Sequence, residues 1–341
     1  MRLAPLEEQV VVVVGASSGI GRETAVRLAR RGARVVVSAR SRGGLDDVVE
    51  EIGSEGGKAL AREADVADPA QMEALAARAV DVHGRVDTWV HAAAVAAYAS
   101  FLDTTPEEFR AIVEVNLLGA ANGARAALPR LREQGGALIV VSSMEARRAM
   151  PLHSAYAASK HGIDGMLEAL RVELAHDGIP VSVTNILPGV IDTPLFDQAR
   201  TKIGVVPTGP PPPYDPGVVA DAICFAAEHP ARDLVVGGAA QVQLVGQRLS
   251  PRLMDLFALV AGFATQRTDE PQGVEAPDNL DGPLEEVRSA RGHFGRTRTR
   301  SVWTRFDRQR QRGVDAAFGA LAGVAAPLGR RLAKDGAGAE A

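Results

Sequence analysis

The sequence predicts an α/β chain built on a doubly wound, seven-stranded parallel sheet with helices on both faces. Three observations predict it. Short apolar runs are continuous, not alternating, which suits strands covered on both faces. Longer stretches with helical periodicity separate them, and the first run ends in a glycine cluster from which a helix opens at once.

Taken in order, the apolar runs fall at 10–14, 35–37, 86–90, 138–141 and 181–186, with further strands expected near 58–62 and 234–236. Helical patterns lie near 20–31, 44–55, 69–83, 106–132, 155–176 and 217–229. From 193 to 216 the pattern breaks: Pro207, Pro210 to Pro213 and Pro216 forbid regular structure and predict a long surface loop of the kind that lids a site. Residues 1–237 are read as one catalytic domain. Residues 238–341 are read as an extension, partly helical and docked, partly disordered. It holds apolar segments near 253–263 and 314–328, an acidic Pro-rich stretch at 268–284, and nine arginines against one acid between 288 and 312.

Composition excludes some classes. The 341 residues carry a net charge of −4 and are 46% hydrophobic, so no global attraction to nucleic acid or anionic lipid is implied. Cys224 is the only cysteine and cannot form an intramolecular disulfide. The first apolar run is too short for a signal peptide. These features predict a reducing, cytoplasmic setting. His91 has no neighbouring cluster of ligands, and no metal is expected.

The glycine cluster carries the first functional signal. Gly15-Ala16-Ser17-Ser18-Gly19-Ile20-Gly21 leaves the first strand and opens a helix. Gly15 permits the sharp turn, Gly19 lets the backbone approach a pyrophosphate, and Gly21 allows the helix to pack on the sheet. The amides at the helix start, with the helix dipole behind them, face an anion. This is a Rossmann-type dinucleotide site. The second strand ends at Arg40, where an acid would grip the ribose hydroxyls of NAD and a cation suits a 2′-phosphate. NADP(H) is therefore the expected cofactor, with NAD(H) as the second choice.

Tyr156 and Lys160 stand four apart in a helical pattern and share one face. An ammonium beside a phenol favours the phenolate and lowers its pKa toward a useful range. Ser143, at the end of the strand near 138–141, offers a hydroxyl to a carbonyl oxygen. In isolation a Tyr-x-x-x-Lys is ordinarily a surface pair; behind a glycine loop and a Ser-Ser strand end it reads as chemistry.

These pieces resemble the short-chain dehydrogenase/reductase family over roughly residues 8 to 237. The matching motifs are Gly15 to Gly21, Ala64-Asp65-Val66, Asn116-Leu117-Leu118-Gly119, Val141-Ser142-Ser143, Tyr156-Ala157-Ala158-Ser159-Lys160, and Pro188-Gly189 followed by Thr193-Pro194. The resemblance implies an NADP(H)-dependent oxidoreductase that interconverts a carbonyl and an alcohol. It implies Tyr156 as acid/base, Lys160 lowering its pKa and holding the nicotinamide ribose, and Ser143 orienting the substrate carbonyl. It implies Asn116 kinking its helix and holding a relay water, Asp65 accepting from the adenine amino group with Val66 packed beside it, and Val190 or Ile191 at the carboxamide. Thr193 would touch the carboxamide or the phosphates. The chain departs from the family's pattern at Val14, usually Thr, and at His91-Ala92-Ala93-Ala94, usually an Asn-Asn-Ala-Gly run; Ala94 adds a methyl near the expected adenosine, and Ala93 stays a cofactor contact.

The expected partners are a small carbonyl or alcohol substrate and a second copy of the chain, as a dimer or tetramer. The arginine-rich stretch reads as a solvated tail, as an anionic-lipid contact that would make the protein membrane-peripheral and its substrates lipid-like, or, least favoured, as a nucleic-acid contact, because its aromatics are limited to Phe294, Trp303 and Phe306. A non-catalytic NADPH-binding sensor or scaffold is the rival from another class.

Overall fold

Five consecutive valines set the centre of the molecule, which is described over residues 2–311 by a computed structural model. In β1 (Val10–Val14) every residue is buried; Val12 and Val14 enter one apolar cluster, Val11 and Val13 the other, so one strand feeds the cores on both faces of the sheet. Burial of each such side chain contributes roughly 1.5–3 kcal/mol, and no polar alternation survives because neither face meets water.

The first half alternates strictly: α1 (Gly19–Arg30), β2 (Arg34–Ala39), α2 (Arg42–Ser54), β3 (Lys58–Glu63), α3 (Pro69–His83) and β4 (Thr88–His91). Local chemistry sets these bounds. The carboxylate of Asp68 accepts from the amides of Ala70 and Gln71 at the start of α3, with Pro69 next, and Gly84 ends the helix in the left-handed region at φ +79°. After β5 (Ala97–Tyr98), Thr105 and Glu108 form a capping box that opens α4 (Pro106–Val113). A wide π turn over Glu114–Leu118 joins it to α5 (Gly119–Gln134). Then come β6 (Gly136–Val141), α6 (Ser154–Asp177) and β7 (Val181–Pro188).

The sheet is closed by α7 (Pro216–Glu228) and β10 (Asp233–Val236). Its order is β3-β2-β1-β4-β6-β7-β10, parallel throughout. The chain thus reverses its winding between β1 and β4, and the crevice outside the carboxyl ends there is where such sheets take ligands. Cys224 is buried in α7, and burial pushes its thiol up to about 12.

Two findings differ from the sequence expectation. The 193–216 loop is not wholly irregular: it holds β8 (Arg200–Thr201), parallel to β5, and β9 (Val205–Pro207). Prolines are tolerated because β9 lies in a two-stranded ribbon, where a missing N–H costs no central ladder bond. Its partner, β11 (Arg267–Pro271), comes from the extension and runs antiparallel to it.

The rest of the extension also leans on the domain as far as it is described. It begins with α8 (Gly238–Leu249) and α9 (Pro251–Phe257). A helix over 302–311 lies beside the edge strand β10: Asp307, 1% exposed, accepts from the amide of Val235 at 3.1 Å, Thr304 accepts from Gly237 at 3.1 Å, and Gln311 donates to the carbonyl of Asp233 at 2.8 Å. Two arginines of the stretch, each about half exposed, pair with acids, Arg291 with Asp215 and Arg310 with Asp307, while Arg296, Arg298, Arg300 and Arg305 are exposed. The apolar segment near 314–328 lies outside the described residues.

Candidate active site

The turn after β1 is dictated by contacts that only glycine permits. Gly15 sits at φ +82°, donates to the carbonyl of Ser38 at 2.7 Å, and a Cβ there would lie 2.5 Å from the backbone nitrogen of Ala93. A Cβ on Gly21 would collide with the carbonyl of Gly15, so this glycine serves the loop itself and not the packing of α1 on the sheet.

A cleft that opens to solvent runs from this loop across the ends of the strands. Gly15, Ser17, Ser18, Gly19, Ile20 and Gly21 line it together with Arg40, Val66, Ala93, Ala94, Tyr156 and Lys160, and with Thr193, which lies against Gly19. The cleft is long, glycine-walled and backed by the start of α1, and so fits a dinucleotide.

Asp65, Asn116, Ser143, Pro188, Gly189, Val190 and Ile191 do not line it. Asp65 turns its carboxylate to the amide of Ala67 at 2.9 Å. Asn116, wholly buried in the π turn, accepts from the amide of Val95 at 2.8 Å and donates to Val95 carbonyl at 3.0 Å and to Ser159 hydroxyl at 3.1 Å. Gly189 donates to Val236 at 2.9 Å, Val190 accepts from Tyr214 at 2.9 Å, and Ile191 bridges to Tyr214, so the backbone following β7 is tied to β10 and to Tyr214.

The reactive end brings together β6 and α6. Tyr156 and Lys160 are both buried, and the ammonium lies 5.4 Å from the phenol ring centre. Lys160 donates to the carbonyl of Val141 at 3.2 Å. Ser143 hydroxyl bonds to the Tyr156 hydroxyl and also accepts from the amide of Glu145 at 3.0 Å. Burial pulls Lys160 down to about 8, partly opposed by the Glu145 carboxylate.

Here the expected lowering of the Tyr156 pKa by Lys160 is corrected. Burial and the nearby Glu145 charge push the phenol above its ordinary value, and only the Ser143 bond opposes them. Lys160 donates instead to the carbonyl of Val141, and the Glu145 carboxylate acts on the buried phenol. A phenol kept protonated is a proton donor.

The sequence reading missed Glu145 and His153. They form a buried pair at 2.9 Å beside Tyr156; the His153 ring lies 5.3 Å from that of Tyr156 and 3.9 Å from that of Tyr98. The signal available was an acid two residues after Ser143 and a histidine three before Tyr156. It missed as well that Asn279, Pro283, Leu284 and Val287 roof the cleft; the stretch that supplies them has no periodicity to mark it.

The two departures meet in space. Val14 and His91 are register neighbours on β1 and β4. His91 is buried, burial pulls it down to about 3, and among the described residues neither ring nitrogen has a partner. It is a neutral packing residue held against Gly123, whose missing Cβ makes room for the ring.

Comparison with known proteins agrees with this construction. The short chain dehydrogenase family model matches residues 9–204. The uncharacterized oxidoreductase YxnA of Bacillus subtilis is 37% identical over 274 residues, covering 80% of this chain and 77% of its own. Dehydrogenase/reductase SDR family member 7B of Danio rerio is 32% identical, covering 77% and 88%. Among solved structures, a short chain dehydrogenase from Mycobacterium paratuberculosis bound to NAD superposes with a TM-score of 0.59 at 28% identity, covering 66% of this chain and 93% of that one. An alcohol dehydrogenase from Thermococcus sibiricus complexed with 5-hydroxy-NADP gives 0.59 at 25%, covering 67% and 95%.

Proposed function

This chain belongs to the short-chain dehydrogenase family and is an oxidoreductase; we propose that it interconverts a carbonyl and an alcohol with NADP(H), Tyr156 exchanging the proton on the substrate oxygen. The observation that carries the proposal is that Tyr156 and Lys160 line the glycine-walled cleft together, with Ser143 against Tyr156 just behind that lining. A bound nicotinamide supplies or accepts the hydride. Ser143 holds the carbonyl oxygen, and Tyr156, kept protonated by its surroundings, donates to it. Lys160, drawn toward neutrality by burial, holds the ribose, and Asn116 orders the backbone of Val95 beneath the site.

The amides following Gly15 and Gly19, with Ser17, Ser18, Ile20 and Gly21, hold the pyrophosphate. Val66 borders the adenine, Ala93 the adenosine and Thr193 the carboxamide side, while Asp65 and Pro188 to Ile191, which do not line the cleft, would have to turn toward it to reach the adenine and the carboxamide. Arg40, the cation at the end of β2, favours the 2′-phosphate.

Tyr156→Phe tests the reading. Turnover in a carbonyl and alcohol panel followed by NADPH absorbance should fall by at least about a hundredfold, with cofactor affinity retained. Retained turnover would refute Tyr156 as the proton donor, and turnover absent from the wild type would favour a binding module. Arg40→Ala should narrow the preference for NADPH over NADH. Assembly into a dimer or tetramer through the α4–α5 rod and α6, which leave Leu118 and Val172 exposed, belongs to the same proposal and is read by light scattering.

A second reading, attachment to an anionic lipid surface, rests on a separate observation. Over 242–263 the side chains of Val242, Leu249, Leu253, Leu256, Phe257, Leu259, Val260 and Phe263 are exposed, with Arg248 and Arg252 among them. Sedimentation with anionic liposomes checks it; equal partitioning of the wild type and Leu256→Asp would dismiss it.

A further inference from the structure

The end of the cleft beyond β2 is already served by an anion from this chain. Glu285 accepts from the hydroxyl of Ser41 at 2.8 Å and from the amide of Gly43 at 3.2 Å, at the start of α2. Arg40, two positions from that amide's neighbour, donates to the carbonyl of Asn279 at 2.7 Å. The same strap continues over the glycine loop, where Gly19 donates its amide to the carbonyl of Ser289 at 3.0 Å and Arg22 donates to the carbonyl of Arg288 at 2.6 Å. The strap roofs the cleft without filling it, since the space beneath remains continuous from Arg40 to Lys160.

We propose that Glu285 is a built-in competitor of the NADP(H) 2′-phosphate and thereby sets how strongly this oxidoreductase prefers NADP(H) over NAD(H). The inference rests on the dinucleotide reading of the cleft. One hydroxyl and one amide cannot serve both a carboxylate and a phosphate, and two anions brought together at the start of a helix repel. NADP(H) must displace Glu285 and free Arg40 from Asn279; NAD(H), bearing only ribose hydroxyls, leaves the carboxylate in place as an acceptor for them, the part an acid at the end of the second strand otherwise plays. Preference for NADP(H) is thus a balance between Arg40 in the domain and Glu285 in the strap, and cofactor exchange is coupled to the strap's latch.

The test uses the full-length protein and four probes: NADPH, NADH, 2′,5′-ADP and 5′-ADP, with dissociation constants for the wild type, Glu285→Ala and Glu285→Gln. The loss of the carboxylate should tighten NADPH and 2′,5′-ADP about tenfold while NADH and 5′-ADP stay the same or weaken. In the wild type, saturating 2′,5′-ADP should speed tryptic cleavage at Arg288 and Arg291 relative to 5′-ADP. Equal shifts for both classes of probe, no shift, or no binding of any of them would overturn the proposal. A wild type that prefers NADH but gains NADPH affinity in the variants defeats the NADP(H) preference and keeps the latch; a wild type that prefers NADPH with unaltered variants does the reverse.

Discussion

The sheet and the extension are built by opposite means. In the sheet, β1, β4, β6 and β7 are buried along their whole lengths, and stability comes from apolar area shared between two cores. Between 272 and 311 the main-sheet core gains little apolar burial, Leu280 being the exception; the chain is held by side-chain-to-backbone bonds and ion pairs such as Asp307 to Val235, Thr304 to Gly237 and Arg291 to Asp215. The first kind of region is cooperative and hard to open. The second is a row of separately breakable polar contacts, which is what a segment covering a cofactor cleft needs if the cofactor is to exchange.

Two substitutions are set to break this contrast. Leu138→Ala removes a wholly buried side chain from the middle of β6 and should cost about 2–5 kcal/mol, lowering the thermal midpoint of the whole molecule in one transition. Asp307→Ala leaves the amide of Val235 without its acceptor and should cost about 1–3 kcal/mol. Its effect should be confined: amide exchange should speed in 302–311 and at β10 while β1 and β6 stay protected. Equal loss of protection in β1 would mean that the extension and the sheet fold as one unit and that the contrast is false.

The same contrast explains what was legible in the sequence. The central strands could be read because burial on both faces leaves a nearly uninterrupted apolar run, whereas the edge strand β3, none of whose residues is buried, keeps Lys58, Arg62 and Glu63. The glycine loop could be read because φ and close approach leave glycine as the only solution at Gly15. Tyr156, Lys160 and Ser143 were legible through spacing. Glu145 and His153 were not, because their role depends on a turn that folds 145 and 153 toward each other, and no period encodes that. Nor was Glu285, which reaches Ser41, 244 positions away in sequence, through one hydroxyl. Lys160 shows the limit of spacing: it predicted the neighbour of Tyr156 correctly, but the sign of the phenol's shift is set by Glu145 and by burial, which spacing does not report.

The smallest expected effect sharpens the contrast where the strap meets the lid. Asp192 accepts from the amides of Gly292 at 3.0 Å and Phe294 at 3.2 Å, Phe294 stacks edge-on against Phe196 at 4.9 Å, and His293 pairs with Asp197. The Asp197 bond raises His293 above its ordinary value of 6.5 against the opposing effect of partial burial. A base whose folded pKa is raised contributes fully below its unfolded pKa, and that contribution is lost as pH rises through the folded value. The pair is about a third exposed, so after solvent screening its contribution is at most about 0.5 kcal/mol. Wild type and His293→Gln should therefore differ in amide protection over 192–197 at about pH 5.5 and converge by about pH 9. A difference that persists unchanged at the higher pH would assign the tether to the backbone bonds of Asp192 and Phe294 alone, and the lid would then close on the strap without sensing protons.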